Sequence, residues 1–305
     1  MADSRPAPDF SSALVTGATG FLGFHLAGRL ADAGVAITVI TRPSSDPARI
    51  AELPDNIKIH TATGDSADLI ACLDRAKPDT VFHLAARFLG AHTPDDIAGL
   101  IEDNVTFTAQ LCEAAVAAKC PALVAAGTGW QNAGSAPGDP TPAPNTLYAA
   151  SKQAADDIID YYCRQSDLNA VTLKIYDSYG PDDPRRKFLA VLRETATRGE
   201  ALDATPGDQL LHMVHVDDLV DGFVHAGNLL ATGEIRGRAS HTLPSGQAVT
   251  LRELAELWMS TNDCRVEIDW GRRPHRDGEV MAPWEGTPLP GWTPRIGLKA
   301  GLKGC

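Results

Sequence analysis

Short apolar runs alternate along the chain with longer stretches in which apolar residues recur every three or four positions. Ser12–Val15 reads as a strand, and Gly20–Ala33 as a helix with Phe21, Leu22, Leu26 and Leu30 on one side. Gly34 follows where a helix C-terminus favours a residue without Cβ. Ala36–Ile40 is a second strand, and runs at Ile57–Ala62, Val81–Leu84, Ala122–Ala126 and Val171–Ile175 predict four more. Helical patterns lie between them, at about Ala67–Ala76, Asp95–Ala118 and Tyr148–Arg164. This alternation predicts an α/β fold with a doubly wound parallel sheet. The strands are near-continuous apolar runs, as expected where helices cover both faces.

After about residue 176 the rhythm breaks. Pro, Gly and charged residues cluster at Tyr179–Lys187, Thr205–Gln209 and Gly271–Pro294, which predicts a smaller, less regular lobe. The expected organisation is a flexible tail over 1–11, a main domain over 12–175 and a second lobe over 176–305. Residues 215–230 are expected to return to the main domain. Asn132–Thr146 is a loop by composition.

Three glycines, Gly17, Gly20 and Gly23, stand three apart where the first strand ends. A strand, a glycine turn and a helix form the first unit of a dinucleotide-binding Rossmann fold. Gly17 then permits the tight turn, Gly20 lets a pyrophosphate reach the backbone, and Gly23 lets the helix pack on the strand. The helix N-terminus offers free N–H groups and partial positive charge to the phosphates.

Charge and cysteine usage narrow the classes. With 39 acidic against 27 basic side chains the formal charge is −12, which argues against binding a nucleic-acid backbone. No apolar stretch is long enough to span a bilayer, and the polar, acidic start does not read as a secretory signal. The six scattered cysteines form no CxxC pair, as expected for reduced thiols in the cytoplasm. His212 and His215 make no convincing metal set with Asp217 and Asp218, which are expected to cap a helix beginning near Leu219. No metal is expected.

Two further places carry chemistry. The second strand ends Ile40-Thr41-Arg42, where NAD binders usually place an acid for the ribose hydroxyls. Arg42 instead suits a 2′-phosphate, so NADP(H) is expected over NAD(H). Tyr148 and Lys152 are four apart at the start of a helix and share a face. An ammonium beside a phenol lowers its pKa and fits it for proton transfer.

These motifs together resemble the extended short-chain dehydrogenase/reductase family. The resemblance rests on T-G-x-x-G-F-L-G at Thr16–Gly23, Gly64-Asp65, Val81-Phe-His-Leu-Ala-Ala86, Asn104, Tyr148-Ala-Ala-Ser-Lys152, Tyr179-Gly-Pro181 and Val214–Leu219. It covers about residues 12 to 230. It implies a cofactor site of Gly17, Thr19, Gly20, Phe21, Leu22, Gly23, Arg42, Asp65, Ser66, Leu84, Ala85, Ala86, Tyr148 and Lys152. Asp65 would contact the adenine, though it also suits a helix N-cap. Thr128, just after the fifth strand, is implied as the third catalytic residue beside Tyr148 and Lys152, orienting the carbonyl oxygen. A homodimer through the helices at 95–118 and 148–164 is implied as well.

Within the family, Thr128 is followed by Gly129 and Trp130 rather than the acidic pair of sugar 4,6-dehydratases. Lys174–Lys187 and Thr128–Gln131 resemble the nucleotide-sugar 4-ketoreductases of the CDP-abequose and CDP-paratose type. That resemblance implies reduction of a nucleotide-linked 4-keto-6-deoxyhexose. Arg87, Trp130, Asp177, Arg185, Lys187 and Arg272 are the candidate substrate contacts. Three alternatives stay open: a nucleotide-sugar 4-epimerase with tightly held NAD, a reductase of a non-sugar carbonyl, and a non-catalytic NADP-binding module.

Overall fold

The apolar runs become strands because each is covered on both faces by amphipathic helices. The computed structural model describes residues 5–305. Its strands Ser12–Thr16 (β1), Ala36–Thr41 (β2), Lys58–Thr61 (β3), Thr80–His83 (β4), Ala122–Thr128 (β5) and Asn169–Ile175 (β6) follow the predicted order. The connecting helices are Phe21–Asp32 (α1), Pro47–Ala51 (α2), Ser66–Ala76 (α3), Ile97–Ile101 (α4), Phe107–Ala117 (α5) and Leu147–Gln165 (α6). Asp177–Tyr179 (β7), Phe188–Arg198 (α7), Ala201–Ala204 (β8), Leu210–Leu211 (β9), Met213–His215 (β10) and Val216–Ala231 (α8) come next. Arg238–Leu243 (β11), Val249–Thr250 (β12), Leu251–Thr261 (α9), Glu267–Trp270 (β13) and Leu298–Gly301 (α10) complete the chain.

Seven strands form one sheet in the order β11-β6-β5-β4-β1-β2-β3, and every pairing in it is parallel. This is a Rossmann-type α/β fold. One face buries Val15, Phe82, Val124 and Val171 against Leu26 and Leu30 of α1 and Leu219 and Phe223 of α8. The other buries Leu14, Val81 and Leu123 against Leu69 and Leu73 of α3, Leu111 of α5 and Ile159 of α6. Each such side chain, fully buried, contributes on the order of 1.5–3 kcal/mol. The C-terminal lobe has its own core around Leu192, Met213, Leu254 and Trp258.

Four expectations change. Residues 1–4 lie outside the described residues, but the rest of the expected tail is docked. Phe10 is buried against Phe82 with ring centroids 5.6 Å apart, and the Asp9 amide donates to Asn228 Oδ1 at 2.8 Å. Second, β11 lies in the main sheet although it falls inside the expected second lobe. Its sequence, RASHTL, carries too few apolar residues to read as a strand, because it sits at the sheet edge and is only half covered. Third, the expected helix at 95–118 bends through a wide π turn at Glu102–Thr106, where the Phe107 amide reaches back to the Glu102 carbonyl. Finally, α8 begins at Val216 and His215 caps it. The Asp218 carboxylate instead accepts the amides of Arg295 and Ile296, each at 3.0 Å.

Candidate active site

The C-terminal ends of β1, β2, β4 and β5 open onto one cleft, where a parallel sheet of this order places its ligands. Gly17 has φ +76°, and a Cβ there would fall 2.6 Å from the Ala85 nitrogen. A Cβ on Gly23 would lie 2.2 Å from the Gly17 carbonyl oxygen. So the β1 end and the α1 start approach as closely as the glycine spacing predicted. No side chain caps the N-terminus of α1, and its first turn holds no acid. Thr19, Gly20 and Leu22 border this open turn, while Phe21 is buried beneath it. The turn fits a pyrophosphate, since the uncapped helix N-terminus leaves its N–H groups and partial positive charge free for it.

Around the turn, Asp65 caps α3 by accepting from the Ala67 amide at 3.0 Å, with Ser66 as the first helical residue. The Leu84 and Ala85 amides hydrogen-bond to Thr16, through its carbonyl at 3.3 Å and its hydroxyl at 3.2 Å respectively. Ala86 follows, exposed at the cleft wall. Thr41 is buried, with its hydroxyl 3.2 Å from Thr61 Oγ1. Arg42 stands 61% exposed, and its Nη1 donates to Asp103 Oδ2 at 2.9 Å.

Thr128, Tyr148 and Lys152 come from β5 and the first turns of α6. Thr146 caps α6 by accepting from the Ala149 amide. The Thr128 amide donates to Gln131 Oε1 at 2.9 Å, and Gln131 Nε2 donates to Gln153 Oε1 at 2.9 Å. These two bonds fix the strand end against the helix. Tyr148 is half-buried, with the Phe88 ring edge-on at 4.9 Å and the Trp130 ring at 6.3 Å. Burial pushes its phenol pKa up, contrary to the expectation that Lys152 would lower it. Lys152 is itself buried and pushed down to about 8 by loss of solvent, with Asp156 opposing that shift. Tyr148 is therefore held as a neutral phenol.

Beneath the site runs a chain of buried hydrogen bonds. Thr16 Oγ1 lies 2.8 Å from His83 Nδ1, and His83 Nε2 lies 2.9 Å from Thr108 Oγ1. Because Thr108 donates to the Asn104 carbonyl at 2.7 Å, it accepts from the imidazole. This assigns the proton to Nε2, with Thr16 donating to Nδ1. Burial holds His83 neutral, with its pKa pushed down to about 3. The π turn aims Asn104 inward, where it pairs with both main-chain groups of Arg87 and donates to Ser151 Oγ at 2.9 Å. Ser151 in turn donates to the Tyr148 carbonyl at 2.7 Å.

The expected substrate residues divide. Asp177 and Lys187 pair at 3.4 Å and line a cavity with Phe188, Arg193, Leu211 and Met213. Arg185 lines it too, but its guanidinium is engaged twice by Asp183 at 2.7 Å and bonded to Ser178. It also lies 4.3 Å over the Phe21 ring, so it anchors this loop to the start of α1. The Arg87 guanidinium bonds Asp103 at 2.8 Å rather than standing free. Trp130 faces the cleft beside Tyr148. Arg272 is exposed in the turn after β13, whereas Arg276 comes within contact range of Gly90 on the loop after β4. Arg276 is paired with Glu279 at 2.9 Å. Sequence reasoning missed Arg276, Phe88 and Asp103. A run of arginines gives no sign of which one reaches a neighbouring loop, and an aromatic in a loop carries no periodicity.

The sequence profile of the NAD dependent epimerase/dehydratase family matches residues 13–236. The chain belongs to that family. It is thus an extended short-chain dehydrogenase/reductase, of a family of NAD(P)-dependent nucleotide-sugar enzymes. The family member is 29% identical over 305 residues to UDP-glucose 4-epimerase of Mycolicibacterium smegmatis, covering 95% of each chain. It is 27% identical to dTDP-6-deoxy-L-talose 4-dehydrogenase (NAD(P)(+)) of Kitasatospora kifunensis, covering 95% of this chain and 92% of the relative. CDP-abequose synthases are also among its relatives. Its fold superposes on MoeE5, solved in complex with UDP-glucuronic acid and NAD. The TM-score is 0.82 at 27% identity, over 95% of this chain and 96% of that one. Among the described residues no helix is long and apolar enough to cross a membrane.

Proposed function

We propose that the protein reduces the C4 keto group of a nucleotide-linked 4-keto-6-deoxyhexose with NADPH. The observation that carries this reading is the surroundings of Tyr148. They are aromatic, formed by Phe88 and Trp130, with Thr128 at the strand end. A neutral phenol is the state that reduction needs, because the developing alkoxide takes its proton. Bound NADPH supplies hydride chemistry at the carbonyl carbon. The Tyr148 hydroxyl gives its proton to the oxygen, Thr128 Oγ1 hydrogen-bonds that oxygen, and the Lys152 ammonium stabilises the phenolate left behind. Similarity to a 4-dehydrogenase of a nucleotide-linked 6-deoxyhexose supports redox chemistry at C4.

A second reading is a nucleotide-sugar 4-epimerase, favoured by the similarity to UDP-glucose 4-epimerase. The test supplies CDP- and dTDP-linked 4-keto-6-deoxyglucose with NADPH, and separately UDP-glucose with no added cofactor. Stoichiometric loss of NADPH absorbance supports the reductase. Formation of UDP-galactose without net NADPH use replaces it with the epimerase.

The same reading includes a homodimer. Ile97 and Ile101 of α4 are 45% and 40% exposed and Tyr161 of α6 is 54% exposed, on the two helices expected to pair. Sedimentation showing a dimer that Tyr161→Asp weakens is the expected outcome. A wild-type monomer at all concentrations excludes it.

A further inference from the structure

Directly after β2, where a Rossmann fold reads the adenosine ribose, the chain places Arg42. Thr41, standing where NAD binders carry an acid, is buried and engaged with Thr61. An acid nevertheless arrives from elsewhere. Asp103, in the π turn between α4 and α5, takes hydrogen bonds on one oxygen from Arg42 Nη1 at 2.9 Å and Arg87 Nε at 2.8 Å. We infer that Asp103 sets the cofactor preference. It competes with a 2′-phosphate for Arg42 and presents an acceptor to an unmodified ribose hydroxyl.

The three groups differ in freedom. Arg87 is clamped through its main chain by Asn104, and its guanidinium lies over Gly99 of α4. Asp103 is 18% exposed and held by that guanidinium. The Arg42 backbone amide is fixed to Ser45 Oγ at 3.0 Å, but its guanidinium is 61% exposed. Arg42 is thus the partner that can turn away, and Asp103 the one that stays. A phosphate monoester carries about −1.5 to −2 charges at neutral pH. Drawing Arg42 to it leaves the Asp103 carboxylate close by and repulsive. An unphosphorylated ribose meets no such repulsion and finds a carboxylate acceptor. Both cofactors are accepted, and Asp103 holds back the phosphorylated one.

The inference rests on the proposed cofactor site and not on the sugar. Calorimetric titration of NADPH and NADH into wild type, Asp103→Asn, Asp103→Glu, Arg42→Ala and the double variant Asp103→Asn/Arg42→Ala tests it. Asp103→Asn is expected to tighten NADPH about five- to twentyfold, and to leave NADH unchanged or weaker. The gain shrinks as salt is raised, and it is smaller in the Arg42→Ala background, where the competition for the guanidinium is gone and only the repulsion remains. Asp103→Glu keeps the charge and keeps the wild-type ratio. An unchanged NADPH-to-NADH ratio in Asp103→Asn, or equal tightening of both, overturns the role of Asp103 while leaving the cofactor site standing. Wild type that binds neither dinucleotide overturns both.

Discussion

The Asn104 side-chain amide donates to Ser151 Oγ at 2.9 Å, joining the π turn before α5 to the first turns of α6. Ser151 passes the connection to the Tyr148 carbonyl. The same Asn104 side chain holds both main-chain groups of Arg87. One buried amide therefore positions α6 and the loop after β4 together.

Asn104→Ala leaves the Arg87 amide and carbonyl and the Ser151 hydroxyl short of a partner. The expected loss of stability is about 2–4 kcal/mol, since each buried unsatisfied group costs about 1–3 kcal/mol. Urea unfolding measures it. A loss below about 0.5 kcal/mol would mean that these groups find other partners.

Tyr148→Phe removes the proton donor without changing the ring that packs on Phe88. NADPH binding should persist by calorimetry while turnover falls roughly 100- to 10,000-fold, the range of general acid catalysis. Normal turnover would remove Tyr148 from the mechanism.

Lys152 has its pKa pushed down to about 8 by burial, with Asp156 pulling the other way. The ammonium that supports Tyr148 is therefore lost as pH rises through that value, and activity should fall on the alkaline side. Removing the Asp156 charge with Asp156→Asn lowers the Lys152 pKa further, so the alkaline limb should move to lower pH. Asp156 also bonds Arg238 and Thr172, so stability is measured alongside the pH profile. A limb that stays in place in a folded variant argues against Lys152 as its origin.

His83 is held neutral with its pKa near 3, against an ordinary value of 6.5. The unfolded chain binds this proton more readily than the folded one. Its contribution to stability is present above about pH 6.5 and is lost as pH falls toward 3. The slope approaches about 1.4 kcal/mol per pH unit from this one site. His83→Gln should flatten the acid side of the stability curve measured by urea unfolding. An unchanged slope would show that other groups govern acid unfolding.

Much of this was readable in the residues. The strand–helix alternation, the glycine turn and the Tyr148–Lys152 pair are local patterns with fixed periods, and the fold preserves them. β11 escaped because Arg238, Ser240 and His241 lie at a sheet edge, where no apolar run is required. The hydrogen-bond chain from Thr16 through His83, Thr108 and Asn104 to Ser151 escaped for a different reason. Its members are 67, 25, 4 and 47 positions apart, and only tertiary packing brings them together.

The loop between Thr128 and Tyr148 is fastened by a much later part of the chain. Trp284 Nε1 donates to the Asp139 carbonyl at 3.0 Å, the Gly138 amide to the Glu285 carbonyl at 3.0 Å, and Asn145 Nδ2 to the Gly278 carbonyl at 2.6 Å. During synthesis the glycine turn at residues 17–23 emerges early, followed by the β4 end on which it packs. The wall of the reaction chamber waits for more than a hundred further residues. The wall of the cleft is therefore among the last parts of the fold that a growing chain can complete.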